Sequence, residues 1–193
     1  MKLEDAVRLV SERIDYLLET KPVILIALDG NTASGKSTLA HVLQRIYIDR
    51  CNLFHTDDYF LRLEQRTEER YAQPGGNFDR ERFEAEILKP LSLSQSVAAH
   101  RYNCNTFQLE GERIYPCQPL NIIEGSYSMH PELERYYDFS VYTKISPAIQ
   151  HERICARNPE TKDEFFTRWI PLEEAYFSGT NLESRADLVF EFE

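Results

Sequence analysis

"VILIALDGNTASGKSTL", residues 23–39, decides the fold. Its opening, 23–28, is apolar throughout and rich in β-branched side chains, as in a strand of a parallel sheet buried on both faces. Gly30, Gly35, Lys36 and Ser37 then satisfy the spacing G-x-x-x-x-G-K-[ST]. Each position has a physical reason. Gly30 lets the chain leave the strand in a tight turn, and Gly35 permits a backbone in which successive N–H groups point inward. The helix expected from Lys36 offers unpaired N–H groups and the positive end of its dipole to an anion. Lys36 can reach the β- and γ-phosphates of a nucleotide, and Ser37 can place its hydroxyl on Mg²⁺. The loop from Gly30 through Asn31, Thr32, Ala33 and Ser34 to Thr38 is therefore the expected cradle for ATP.

Strands alternate with helices on either side of this loop. An amphipathic helix is expected over 3–18 and a helix over 36–47. Further strands are expected over 52–58, 120–125, 139–145 and 188–192, with helices near 80–91, 147–157 and 161–177. This alternation implies an α/β fold, a five-stranded parallel sheet flanked by helices. Ligands then gather at the carboxyl ends of the strands, where Asp29, Asp57, Asp58 and Glu124 fall. The middle of the chain, 62–119, reads as an insertion, turn-rich over 71–79 and containing a short hairpin with its turn near Glu110–Gly111.

The chain has 193 residues and a net charge of −10. The length suits a single domain over 1–193, and the acidity leaves no general footprint for nucleic acid. The apolar runs are too short for a membrane span, and the N-terminal stretch has no signal-peptide pattern. Four scattered cysteines without a CxxC pair fit reduced thiols and a cytoplasmic protein. The sequence is compatible with a homo-oligomer.

The guanine-reading N-K-x-D, the switch D-x-x-G and the L-S-G-G-Q signature are absent, which leaves small-molecule kinases as the class. A kinase needs a carboxylate at the acceptor hydroxyl. Asp57 is the candidate. Asp58, diverging from it along an extended strand, falls nearer metal-bound water or caps the next helix. Glu124 can hold Mg²⁺ through water or fix a loop. Arg153 and Arg157 share a helix face and form a fork suited to phosphate oxygens, or else are solvated and paired with nearby acids. The segment 146–170 that carries them, with Lys162 and Arg168, reads as a lid that excludes water.

The strings "GNTASGKST", "HTDDYF", "PGGNFDRERF", "IIEGSY" and "ADLVF" together resemble the uridine kinase and phosphoribulokinase group of P-loop kinases, over residues 20–192. The resemblance implies the P-loop kinase fold with a helical lid, and an acceptor of the nucleoside class. It implies that Asp57 acts on the acceptor hydroxyl and that Phe78 and Asp79 frame the nucleoside. Tyr102 then helps hold the base, and Arg153 and Arg157 are the lid arginines; Tyr59 and Arg168 are further candidates for the acceptor site. The sequence departs from that pattern at "YNCNTF", where Phe107 stands near the place of a base-recognising histidine. A phenyl ring cannot donate a hydrogen bond to a base carbonyl. Nicotinamide riboside, pantothenate or a sugar therefore stand beside uridine as acceptors. A nucleotide-binding regulatory module without kinase activity is the alternative from another class.

Overall fold

The computed structural model describes all 193 residues. Its central sheet holds β1 (Ile24–Gly30), β2 (Cys51–His55), β7 (Leu120–Glu124), β8 (Phe139–Lys144) and β9 (Leu188–Glu191), in the spatial order β2-β7-β1-β8-β9. Every pairing is parallel. The side chains of β1 alternate between two apolar layers. Ile24, Ile26 and Leu28 pack with Val10 and Ile14 of the N-terminal helix Leu3–Thr20 and with Leu39 and Leu43 of the helix Lys36–Ile46. Leu25 and Ala27 face Phe83, Ile87 and Tyr176 from helices on the other side. Both faces of the sheet are thus covered, which is why β1 is buried along its whole length. The fold expected from the alternation of elements is the one observed.

Two long helices of the second layer contain an internal proline. Residues 80–92 run through Pro90 and residues 162–180 through Pro171. A proline ring clashes with the carbonyl four residues back. In each case the chain widens to a π-turn just before it, over Glu84–Leu88 and Phe165–Trp169, which accommodates the ring without ending the helix.

Two expectations are corrected. The second strand ends at His55, and Thr56–Tyr59 form a turn of 3₁₀ helix, so Asp57 and Asp58 leave the sheet before they point anywhere. The hairpin of the insertion has its tip at 104–107, not at Glu110–Gly111. The four short strands between β2 and β7 nest here: β3 (Val97–Ala99) pairs with β6 (Arg113–Tyr115), and β4 (Tyr102–Asn103) pairs inside them with β5 (Gln108–Leu109). The Asn103 side chain accepts from the N–H groups of Asn105 and Thr106, and Phe107 takes a positive φ of 57°. That local Asx turn closes the tip and outweighs the glycine further along.

Candidate active site

The register of the sheet brings the functional strand ends to one level. Leu28 lies opposite Glu124, His55 opposite Glu124, and Gly30 opposite Thr143. Gly30 has φ 148°, and a Cβ there would collide with the Thr143 carbonyl. Only glycine lets β1 turn into the loop so close to β8. Beneath the turn, Asp29 accepts from the N–H groups of Gly30 and Met129 and from the Tyr176 hydroxyl. Complete burial still pushes its carboxyl up to about 6.

The loop then curls over the start of the helix Lys36–Ile46. Gly35, at φ 98°, precedes it. The first bond into the helix runs from Leu39 N–H to Gly35 C=O, so the N–H groups of Lys36, Ser37 and Thr38 come before it, with no acid in that turn. This is an anion cradle of backbone donors. Lys36 Nζ donates to Asn31 O at 3.1 Å, and Ser34 Oγ lies 2.6 Å from Thr143 Oγ1. The remaining polar groups of the loop are held from outside. Gln150 donates to the Thr32 carbonyl and Arg153 to the Ala33 carbonyl. Glu173 accepts from Thr32 N–H at 2.9 Å, Thr32 Oγ1 at 2.6 Å and Ser126 Oγ at 2.6 Å.

Ser37 Oγ donates to Glu124 Oε1 at 2.6 Å, and His55 Nδ1 sits 2.7 Å from Glu124 Oε2. Burial alone would raise the Glu124 carboxyl. The His55 bond, the Lys36 charge and the Ser37 bond outweigh it and hold the group below its ordinary value. The same bond raises His55 against its own burial. A hydroxyl and an ionised carboxylate beside a phosphate cradle are the donor set that a hard, oxygen-seeking cation such as Mg²⁺ takes, so the residues fit that ion.

A cleft of about 1390 Å³ opens from this loop. Lys36, Ser37, Asp57, Glu124, Arg153 and Arg157 all line it. Asp57 is exposed into the cleft, with protein on its other sides. Its carboxyl is raised, chiefly by desolvation, with Lys36 opposing and Glu124 and Glu173 reinforcing. The 3₁₀ turn separates the two neighbouring acids. Asp58 forms an ion pair with Arg101 at 2.8 Å and lines a smaller cavity of about 520 Å³, which Asp57, Ser37 and Glu124 also line, while of the two acids only Asp57 reaches the large cleft.

Several residues expected at the acceptor lie elsewhere. Phe78 is fully buried, stacked on Tyr127 and tilted against Phe83. Asp79 caps the helix that follows, accepting from Arg82 N–H, and is ion-paired with the Arg82 side chain. Tyr59 is buried under the Arg82 guanidinium and donates to Glu86. Tyr102 is buried and accepts from Arg66. Arg168 lies over the Trp169 ring and donates to the Tyr71 hydroxyl, outside the cleft lining. Arg153 lines the cleft but spends its guanidinium on the carbonyls of Ala33 and Glu193. Arg157 also lines it, bonded to Asn158. The sequence reading missed Asn77, Phe60, Ser126, Tyr127, Phe165, Trp169 and Glu173, which line the same cleft. Asn77 sits directly before Phe78 in the string that drew notice, and only the direction of its side chain separates the two.

A parallel sheet of this order, with the loop after its central strand, is shared with known structures. A structure described as a possible uridine kinase from Bacillus stearothermophilus superposes with TM-score 0.67 at 24% identity, over 94% of this chain and 98% of that one. Phosphoribulokinase from Rhodobacter spheroides superposes with TM-score 0.62 at 13% identity, over 89% and 71%. The chain has the P-loop kinase fold. In sequence it is 27% identical over 135 residues to a uridine kinase of Clostridium novyi, covering 66% of this chain. The match spans 64% of that relative's length, just under two thirds. No family model matches the chain.

Proposed function

We propose that the protein transfers the γ-phosphoryl group of ATP to a hydroxyl of a nucleoside or a similar small molecule. One observation carries the reading: Asp57 faces the cleft that contains Lys36 and the backbone cradle. A carboxylate there serves neither the sheet nor a helix cap, and its raised proton affinity suits a base. The fold likeness and the uridine kinase match support the same reading.

In this mechanism the N–H groups around Gly35–Thr38 and the Lys36 ammonium bind and orient the triphosphate. Ser37 and Glu124 would hold Mg²⁺, which would supply charge neutralisation for the triphosphate. Asp57 accepts the hydrogen bond of the acceptor hydroxyl and holds its oxygen in line with the γ-phosphorus. As the new O–P bond forms and the bond to ADP breaks, Asp57 takes the hydroxyl proton. Arg153 and Arg157, on the helix Pro147–Arg157, stand over the loop and limit water, the rival acceptor.

The test is ATP consumption measured across nucleosides, pentoses, hexoses and pantothenate, with mass analysis of the product. A product heavier than its acceptor by one phosphoryl group is expected for at least one compound. ATP binding without any phosphorylated acceptor would instead favour a regulatory module.

A further inference from the structure

One polar side chain beside Asp57 has no role in the fold. Asn77 is 3% exposed and lines the cleft. Neither its amide nitrogen nor its amide oxygen has a hydrogen-bond partner. The nearby Tyr127 phenol, whose proton affinity burial and the Glu173 charge raise, is eased by the Asn77 amide, yet the two lie outside full hydrogen-bond geometry. Buried amides are almost always paired, because an unpaired one forfeits its bonds to water and gains none in return. An amide left unpaired at the wall of a cleft is waiting for a ligand's polar groups. It can donate twice and accept twice, which matches adjacent hydroxyls.

The surroundings define that ligand further. The chain around Asn77 runs antiparallel to Phe60, through the bridge between Phe60 and Phe78, and the Phe60 ring stacks on Trp169 at 5.9 Å. Phe60, Phe165 and Trp169 give the cleft an aromatic wall. The charges here are negative: Asp57, and Glu173 bonded to Ser126. The cations that line the cleft are Lys2, Lys36, Arg153 and Arg157. Lys36 and Arg153 bond carbonyls of the phosphate loop, and Arg157 bonds Asn158. No arginine or lysine bonds Asn77, Ser126 or Tyr127 to offer a seat for an anion. A carboxylate or phosphate on the acceptor would meet Asp57 and Glu173, and the cation that acts on Asp57, Lys36, is the one the donor phosphates use.

We propose that Asn77 is the acceptor-reading residue, and that the acceptor is an uncharged, hydroxyl-rich molecule with a flat or apolar face, seated between Asn77 and the Phe60–Trp169 wall. This rests on the phosphoryl-transfer reading for the place of the acceptor, and it excludes alcohols that carry a carboxylate or phosphate.

Binding separates the two readings, since it needs no turnover. Calorimetry with a non-hydrolysable ATP analogue and Mg²⁺ present would compare uridine, cytidine, adenosine, D-ribose and D-fructose with D-glycerate, pantothenate and ribulose 5-phosphate. At least one neutral compound is expected to bind at least tenfold more tightly than any of the three anions. Asn77→Ala and the near-isosteric Asn77→Leu should each weaken that binding at least tenfold, with nucleotide affinity changed less than twofold. Because the amide is unpaired, Asn77→Leu should melt at the same temperature as the unsubstituted protein or higher. Preferred binding of an anion, no binding of any neutral compound, or unchanged binding in both variants overturns the proposal. A lower melting temperature for Asn77→Leu with binding intact would mark Asn77 as structural and overturn it as well. Binding that follows the proposal with no phosphorylated product would sink the kinase reading and leave this one standing.

Discussion

The two ends of the cleft are built on different principles. The donor end is one contiguous turn, Gly30–Thr38, and its ligands are mainly backbone N–H groups. Side chains from elsewhere, Thr143, Gln150, Arg153 and Glu173, bond that turn and hold its shape. The proposed acceptor end is lined by side chains on separate segments: Asp57 and Phe60 after β2, Asn77 in the insertion, Ser126 and Tyr127 after β7, and Phe165, Trp169 and Glu173 on the last long helix. A site made of backbone is fixed by local sequence, because glycine positions and a helix start determine where the N–H groups point. A site made of side chains is fixed only by how distant segments pack.

The sharpest way to break this contrast is at Lys36, the one side chain on which the donor end depends for charge. Lys36→Ala should lower kcat/KM for ATP by about 10³-fold, as expected for loss of a fixed charge on the transferred group. Steady-state kinetics with nucleotide titration would show it. A loss below about tenfold would mean that the backbone cradle alone holds the triphosphate productively.

Asp57→Asn is the matching test at the acceptor end. The amide keeps the shape and removes the base, so kcat should fall about 10²-fold while nucleotide affinity stays within twofold. Equal losses in both would place Asp57 at the donor end and erase the distinction between the two.

The contrast also explains what was legible. The strand 23–28, the glycines, Lys36 and Ser37 could be read from spacing alone, and so could the order of strands and helices. The acids at the strand ends were legible because a parallel sheet delivers its carboxyl ends to one edge. In the string "NFD" the three side chains go three ways. Phe78 and Asp79 went to the core and a helix cap, and Asn77 between the bridge and the cleft was left over. Glu173 and Glu174 are adjacent acids on one helix with no local signal to tell them apart. The fold buries Glu173 against the loop and leaves Glu174 exposed.

Asp29 supports the rigidity of the donor end and carries a pH signature. Its folded carboxyl titrates near 6 against 3.8 for the unperturbed group. A raised folded value means that its contribution to stability is full below about 3.8 and is lost as pH rises through about 6. The loss is about 3 kcal/mol for a shift of this size. Asp57, also raised, acts in the same direction, whereas His130, which burial pushes down to about 4, adds stability as pH rises over the same window. The Asp29 contribution is therefore read by comparing urea unfolding of the unsubstituted protein and Asp29→Asn at pH 4 and at pH 6.5. Asp29→Asn should remove the downward contribution, so that its stability rises more steeply from pH 4 to pH 6.5 than that of the unsubstituted protein, and an unchanged difference would assign the pH dependence to other groups.

Glu173 joins the two ends, because its carboxylate bonds the donor loop and also lines the cleft beside Asp57. Glu173→Gln keeps one acceptor oxygen and loses the charge. It should raise the nucleotide KM about tenfold and cost about 1–3 kcal/mol of stability, as for a charged hydrogen bond weakened in the interior. A change confined to the acceptor KM would move Glu173 from the loop's scaffold to the acceptor's binding surface.

The smallest effect is expected at Tyr102, and it discriminates most finely between the resemblance and the structure. If Tyr102 held the base of a nucleoside, Tyr102→Phe would remove a ligand bond and raise the acceptor KM about tenfold. In the fold the phenol accepts one long bond, 3.3 Å, from Arg66, and its ring is buried among the strands of the insertion. Phenylalanine keeps the ring and its packing. The expected cost is therefore under about 1 kcal/mol of stability, at the weak end for a neutral hydroxyl with one partner, with the acceptor KM unchanged within twofold. Chemical denaturation and acceptor titration on the same variant separate these outcomes. A KM that rose while stability held would extend the acceptor's binding surface to the hairpin, whose tip residue Cys104 lines the same cleft as Asn77 and Asp57.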